Sequence, residues 1–129
     1  VDFIHSTEAD LGNIFGKIAT KAAMENGDEW HSQLIDYLND NIRFAIDFIH
    51  KEMPKIRVHN PEATYMIWLN FKDYEISDDE LNRKMVFEAG LGLNSGHIFG
   101  KEGECCMRMN LACPRSVVMK ALKQMKNVF

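Results

Sequence analysis

Residues Gly103–Arg115 read GECCMRMNLACPR. From Cys105 to Cys113 the residues alternate. Cys105, Met107, Met109, Leu111 and Cys113 form one row; Cys106, Arg108, Asn110 and Ala112 form the other. A period of two predicts a strand with one face on a core. The second row carries one cation, Arg108, with no acid two residues to either side. Such a guanidinium takes its partner from elsewhere. A protein carboxylate, solvent or the carboxylate of a ligand all qualify, and the planar fork of Arg grips a carboxylate through two parallel hydrogen bonds. Asn110 shares this row, and two roles stand open for it: orienting Arg108 or making a sheet-edge hydrogen bond.

Working outward, Pro114 ends the strand because it lacks an N–H, and opens a helix because its φ is already helical. Val118, Ala121, Leu122, Met125 and Val128 then mark one helical face. Arg115 sits at the helix start, where a cation opposes the dipole, so an anchor to a neighbouring acid is expected. On the upstream side, Asn94–Gly103 (NSGHIFGKEG) has three glycines and reads as a loop of tight turns.

The rest of the chain supplies what such a strand packs against. Val1–Glu8 reads as irregular. Asp10 is a candidate helix cap, followed by an apolar stripe of Leu11, Ile14, Phe15, Ile18, Ala22 and Ala23. Gly27 is placed to end that helix, and Asp28 and Glu29 to open a longer one. Trp30, Leu34, Leu38, Ile42, Ala45, Ile49 and Met53 recur at three- and four-residue steps, a core stripe closed by Pro54. Lys55–Asn60 reads as a short strand. Tyr65–Phe71 is apolar on both rows apart from Asn70, which predicts a central strand covered on both sides. Ser77 to Glu80 forms a capping box before a helix to about Ala89, with Leu81, Met85, Val86 and Ala89 inward. Leu91–Asn94 is a further short strand. The reading is an α/β chain, an α+β two-layer sandwich of about four strands with helices on the sheet, and a boundary near Gly27.

Bulk properties exclude several functions. The chain has 129 residues, 46% of them hydrophobic, enough for one compact domain. The net charge is −4, without the clustered Lys and Arg that nucleic acid or an anionic membrane would require. No apolar run approaches the roughly 20 residues of a membrane span, and no signal-peptide pattern opens the chain. The five histidines lack H-x-x-x-H or H-E-x-x-H spacing and no C-x-x-C accompanies them, so no metal site is expected. Cys105, Cys106 and Cys113 make a poor disulfide framework and read as small buried residues in a reducing, cytoplasmic setting.

Three stretches together carry a family resemblance. N-x-G-x-x-F-G-x-x-G followed by M-R-x-N-x-A-C-P-R (Asn94–Arg115), P-x-x-T-Y-x-x-W-x-x-F (Pro61–Phe71), and the run from Asn13 through Ala23, Gly27, Trp30 and Asn41 occur in order. They resemble the C-terminal part of the class I/II aminotransferase superfamily, in its branch of MalY/PatB-type cystathionine β-lyases and C–S lyases. The resemblance implies the small C-terminal domain of a fold-type-I enzyme over residues 27–129, with 1–26 as the tail of a large cofactor-binding domain. It implies pyridoxal phosphate in a homodimeric parent and an amino-acid substrate, handled by transamination or by β-elimination at a C–S bond. It gives Arg108 the substrate α-carboxylate, with Asn110 beside it. Cys105 and Cys106 stand where the branch is expected to have a small residue and an aromatic, a departure that bears on pocket shape.

No lysine lies in the S-x-x-K or S-K-T-F-type context of a Schiff-base lysine. The chain opens on Val1 rather than Met. It is therefore read as a piece of a longer protein whose catalytic lysine lies upstream. That piece would bind no cofactor covalently, turn over no substrate, and self-associate through residues 1–26. The rival reading is a stand-alone α/β binding or regulatory module.

Overall fold

The computed structural model describes residues 13–129. The predicted irregular start, the Asp10 cap and Leu11 lie outside them. The chain divides into two compact units, Val1–Asp36 and Tyr37–Phe129.

In the first unit, helix α1 spans Ile14–Asn26. Its cap is Asn13, whose backbone is extended and whose side-chain oxygen accepts from Gly16 N at 2.7 Å. Gly27 follows in the right-handed region, φ −93° and ψ −4°, and not in the left-handed conformation of a typical glycine stop. The backbone ladder runs through it, from Gly27 N to Ala23 O and from His31 N to Gly27 O. A Cβ at Gly27 would stand 2.4 Å from Ala23 O, which is why the position takes glycine. No residue of α1 is buried.

Helix α2, Asp28–Glu52, has its first nine residues in this unit and the rest in the second. The predicted core stripe enters late: Trp30 is 68% exposed, Leu34 and Leu38 are half-buried, and only from Ile42 onward are Ile42, Ala45, Ile49 and Met53 buried.

The second unit is built on a four-stranded antiparallel sheet: β1 (Arg57–Val58), β2 (Met66–Asn70), β3 (Asn94–Ser95) and β4 (Cys106–Asn110), in the order β1-β2-β4-β3. Helix α3 is Asp78–Arg83 and helix α4 is Arg115–Lys126. The register sets Ile67 opposite Met109 and Leu69 opposite Met107, and all four are buried. They share one core with Leu111, Phe71, the α2 residues, Leu81 and Met85, and Val118, Leu122 and Met125 of α4. This is the expected two-layer α+β arrangement.

Three elements differ from what the sequence predicts. The β2 strand is central, but its outer row is not covered: Trp68 is 37% exposed. The helix after Ser77 keeps its cap, Ser77 Oγ accepting from Glu80 N at 3.2 Å. It then widens into a π turn over Lys84–Glu88. That extra residue per turn swings Val86 out to half exposure, while Leu81, Met85 and Ala89 stay inside. The third short strand forms at Asn94–Ser95 and not over Leu91–Leu93, since Leu91 N instead closes the preceding turn onto Met85 O.

Candidate functional site

The first predicted row of the decisive stretch holds for Met107, Met109 and Leu111, all buried. Cys105 leaves it. Its φ is +57°, so the strand begins one residue later than the alternation implied. Its N–H donates to Asp78 Oδ1 at 2.7 Å and its thiol to Ile76 O at 3.4 Å. Burial, followed by the charge of Asp78, pushes the Cys105 thiol above its ordinary value. Cys106 is buried, Cys105 and Cys113 are half-buried, and all three are free thiols.

Arg108 lies in the middle of β4 on the outer face, directly across from Trp68 of β2 on one side and Asn94 of β3 on the other. It is half-buried. Among the described residues its guanidinium has no hydrogen-bond or ion-pair partner; its neighbour is the ring of Phe99, whose centroid lies 4.7 Å from Cζ. Phe99 in turn meets Trp68 edge-on, centroids 5.7 Å apart. A guanidinium whose neighbour is a ring and not an acid keeps N–H donors that an anion can use.

A cleft of about 220 Å³ is lined by residues of β4, of the segment Gly92–Asn94 and of α4. Its lining includes Arg108, Asn94 and Asn110 together with Leu93, Met109 and Val118. The cleft therefore brings together the two residues singled out from sequence. Asn110 is partly committed: its Oδ1 accepts from Ala112 N at 2.7 Å, holding the turn that follows the strand.

Arg115 is anchored, but not to an acid. Its Nε donates to Asn41 Oδ1 at 2.6 Å and its guanidinium lies 4.7 Å from the Phe44 ring centroid. The helix start offers no carboxylate there. The buried amide of Asn41 takes the bond instead. Asn41 is fully buried and donates through Nδ2 to Leu111 O and Cys113 O, at 3.0 and 2.9 Å. One side chain thus ties α2 to the corner that carries β4 into α4. Its polarity in the middle of the apolar α2 stripe was the available signal for this role.

Among the described residues no cluster of His, Cys, Asp or Glu is arranged to hold a metal ion, and no helix is long and apolar enough to cross a membrane.

No protein-family model matches the chain. Individual relatives do. It is 35% identical over 114 residues to cystathionine β-lyase PatB of Bacillus subtilis, covering 88% of this chain and 30% of that protein. It is 29% identical to protein MalY of Escherichia coli over 106 residues, covering 82% and 27%. The fold superposes on cystalysin from Treponema denticola, a structure containing pyridoxal 5′-phosphate, with a TM-score of 0.88 at 26% identity, over 98% of this chain and 33% of that one. The chain thus spans about 30% of the length of the curated relatives it matches. The antiparallel sheet and the glycine loop lie on a backbone that superposes on part of cystalysin, and the chain is homologous to MalY/PatB-type cystathionine β-lyases over about a third of their length.

Proposed function

We propose that this chain is the substrate-gripping portion of a pyridoxal-phosphate enzyme acting on amino acids, a C–S β-lyase or aminotransferase, and that Arg108 holds the substrate α-carboxylate. The observation that carries this reading is the guanidinium itself, half-buried on an outer sheet face and without a protein acid among the described residues. The names of the relatives favour the lyase reaction over transamination. Residues 27–129 are the small domain in this reading, and 1–26 the tail of the large one.

The chemistry that pyridoxal phosphate supplies when bound is an electron sink for the bond breaking at the amino acid's Cα. The described residues fit the other end of the substrate. The cleft beside Arg108 is lined by asparagines and apolar groups, with no lysine and no acid. That suits a carboxylate and its aliphatic surroundings, and does not suit a pyridine nitrogen, a phosphate or a Schiff base. What this chain does is bind and orient: two parallel N–H donors fix the carboxylate plane, and hence the direction of the substrate's Cα bonds. Asn110 Nδ2, on the same cleft, is the second polar contact in this reading. The parent is a cytoplasmic homodimer, and residues 1–26 pair this chain with a further copy.

Mixing the 129-residue chain with pyridoxal phosphate and recording its visible spectrum tests the division of labour. The expected result is free cofactor only. A stable band near the visible edge, abolished by replacing one lysine, would overturn the claim that the covalent cofactor site lies elsewhere.

A further inference from the structure

The Gly96–Gly103 loop has a feature that the carboxylate reading does not by itself explain. It forms two short 3₁₀ turns, Gly96–Phe99 and Lys101–Gly103, around Gly100. Its two ends meet back to back. A Cβ on Gly103 would fall 2.1 Å from Gly96 O, and one on Gly96 would fall 2.3 Å from Gly103 O. Only glycine permits that approach at either position. The crossing closes the loop over Cys106 and leaves Phe99 over the outer face of β4, although Phe99 belongs to no strand.

There the ring lies against Arg108 and against Trp68. Phe99 is half exposed, so its position is not accounted for by core burial. A guanidinium has two flat faces and an N–H edge. An aromatic ring occupies a face and leaves the edge free, whereas an acid would consume the edge and cancel the charge. Trp68, at the cross-strand position to Arg108, meets the Phe99 ring at 68° and adds a second contact to it.

We propose that Phe99, braced by Trp68, is the positioning platform of the carboxylate site: it holds the Arg108 guanidinium face-on and keeps its donor edge turned outward. This rests on the reading of Arg108 as the carboxylate grip. The platform predefines one arginine rotamer before ligand arrives, so carboxylate binding costs less side-chain order than it would from a free arginine.

The experiment is NMR on the 129-residue chain, following the Arg108 guanidinium N–H signals, assigned by their loss in Arg108→Lys. The wild-type signals are expected to be displaced by the ring current of Phe99. The displacement should vanish in Phe99→Leu, persist in Phe99→Tyr and shrink in Trp68→Leu. Titration with L-alanine, the probe carboxylate, is then expected to move the wild-type and Phe99→Tyr signals saturably, with affinity reduced about three- to tenfold in Phe99→Leu. Signals unmoved by Phe99→Leu, or alanine affinity unchanged by it, would overturn the platform and leave the carboxylate grip standing. No saturable response to alanine in the wild type would overturn both.

Discussion

At the scale of single residues, Asn41 carries a disproportionate share of the stability. It is fully buried, satisfies two backbone carbonyls and is the hydrogen-bond acceptor for Arg115. Asn41→Ala removes all three bonds and strands the buried carbonyls, so it should lower unfolding stability by about 2–4 kcal/mol in a urea titration. Cys105 makes a second residue-level case. Its thiol is raised from an ordinary value of 9.0, mainly by burial. The folded chain then keeps a proton that the unfolded chain releases, so this contribution to stability is whole below pH 9 and is lost as pH rises through the folded value. Thermal melts should show an alkaline decline that is shallower in Cys105→Ser, and iodoacetamide should modify Cys105 more slowly at neutral pH than it modifies an unstructured cysteine peptide. The place of Arg108 on the outer row without a neighbouring acid was legible at this scale from the alternation alone. The Arg115–Asn41 pair was not, because residues 74 apart meet only after α2 has packed on the sheet.

At the scale of elements, the alternating and 3.6-residue patterns located the sheet and helices that touch the core. They failed where backbone geometry departs from the ideal period. The π turn at Lys84–Glu88 rotated Val86 outward, and the left-handed Cys105 shortened β4 by a residue. Neither departure has a signature in hydrophobic spacing, since each is one added or one inverted residue. Trp68 misled for another reason: an apolar side chain can stand on an uncovered sheet face beside a single aromatic neighbour. The glycine loop is the element whose test is sharpest. Gly103→Ala places a methyl group against the Gly96 carbonyl and should cost about 1–3 kcal/mol. It should also open Cys106, now buried, to alkylation at a rate several-fold above wild type, read by mass spectrometry.

At the scale of the whole molecule, the buried core begins at Ile42 and is contained in the second unit. A variant comprising residues 27–129 is therefore expected to keep a single cooperative melt within a few degrees of the 129-residue chain. Loss of the transition would favour the rival reading, in which residues 1–26 are part of a self-sufficient module. The apolar face of α1, with Ile14, Phe15 and Ile18 all exposed, fits a surface that is covered in a larger assembly.

The central claim is the proposed grip of Arg108 on a substrate carboxylate, and it is tested most directly in a longer, active protein that contains this chain. Arg108→Gln keeps a polar amide on a shorter side chain and removes the charge and the fork. With the cofactor spectrum unchanged, KM for the amino-acid substrate is expected to rise about a hundredfold, equivalent to about 2.7 kcal/mol of lost carboxylate binding. A KM equal to that of the wild type would contradict the account.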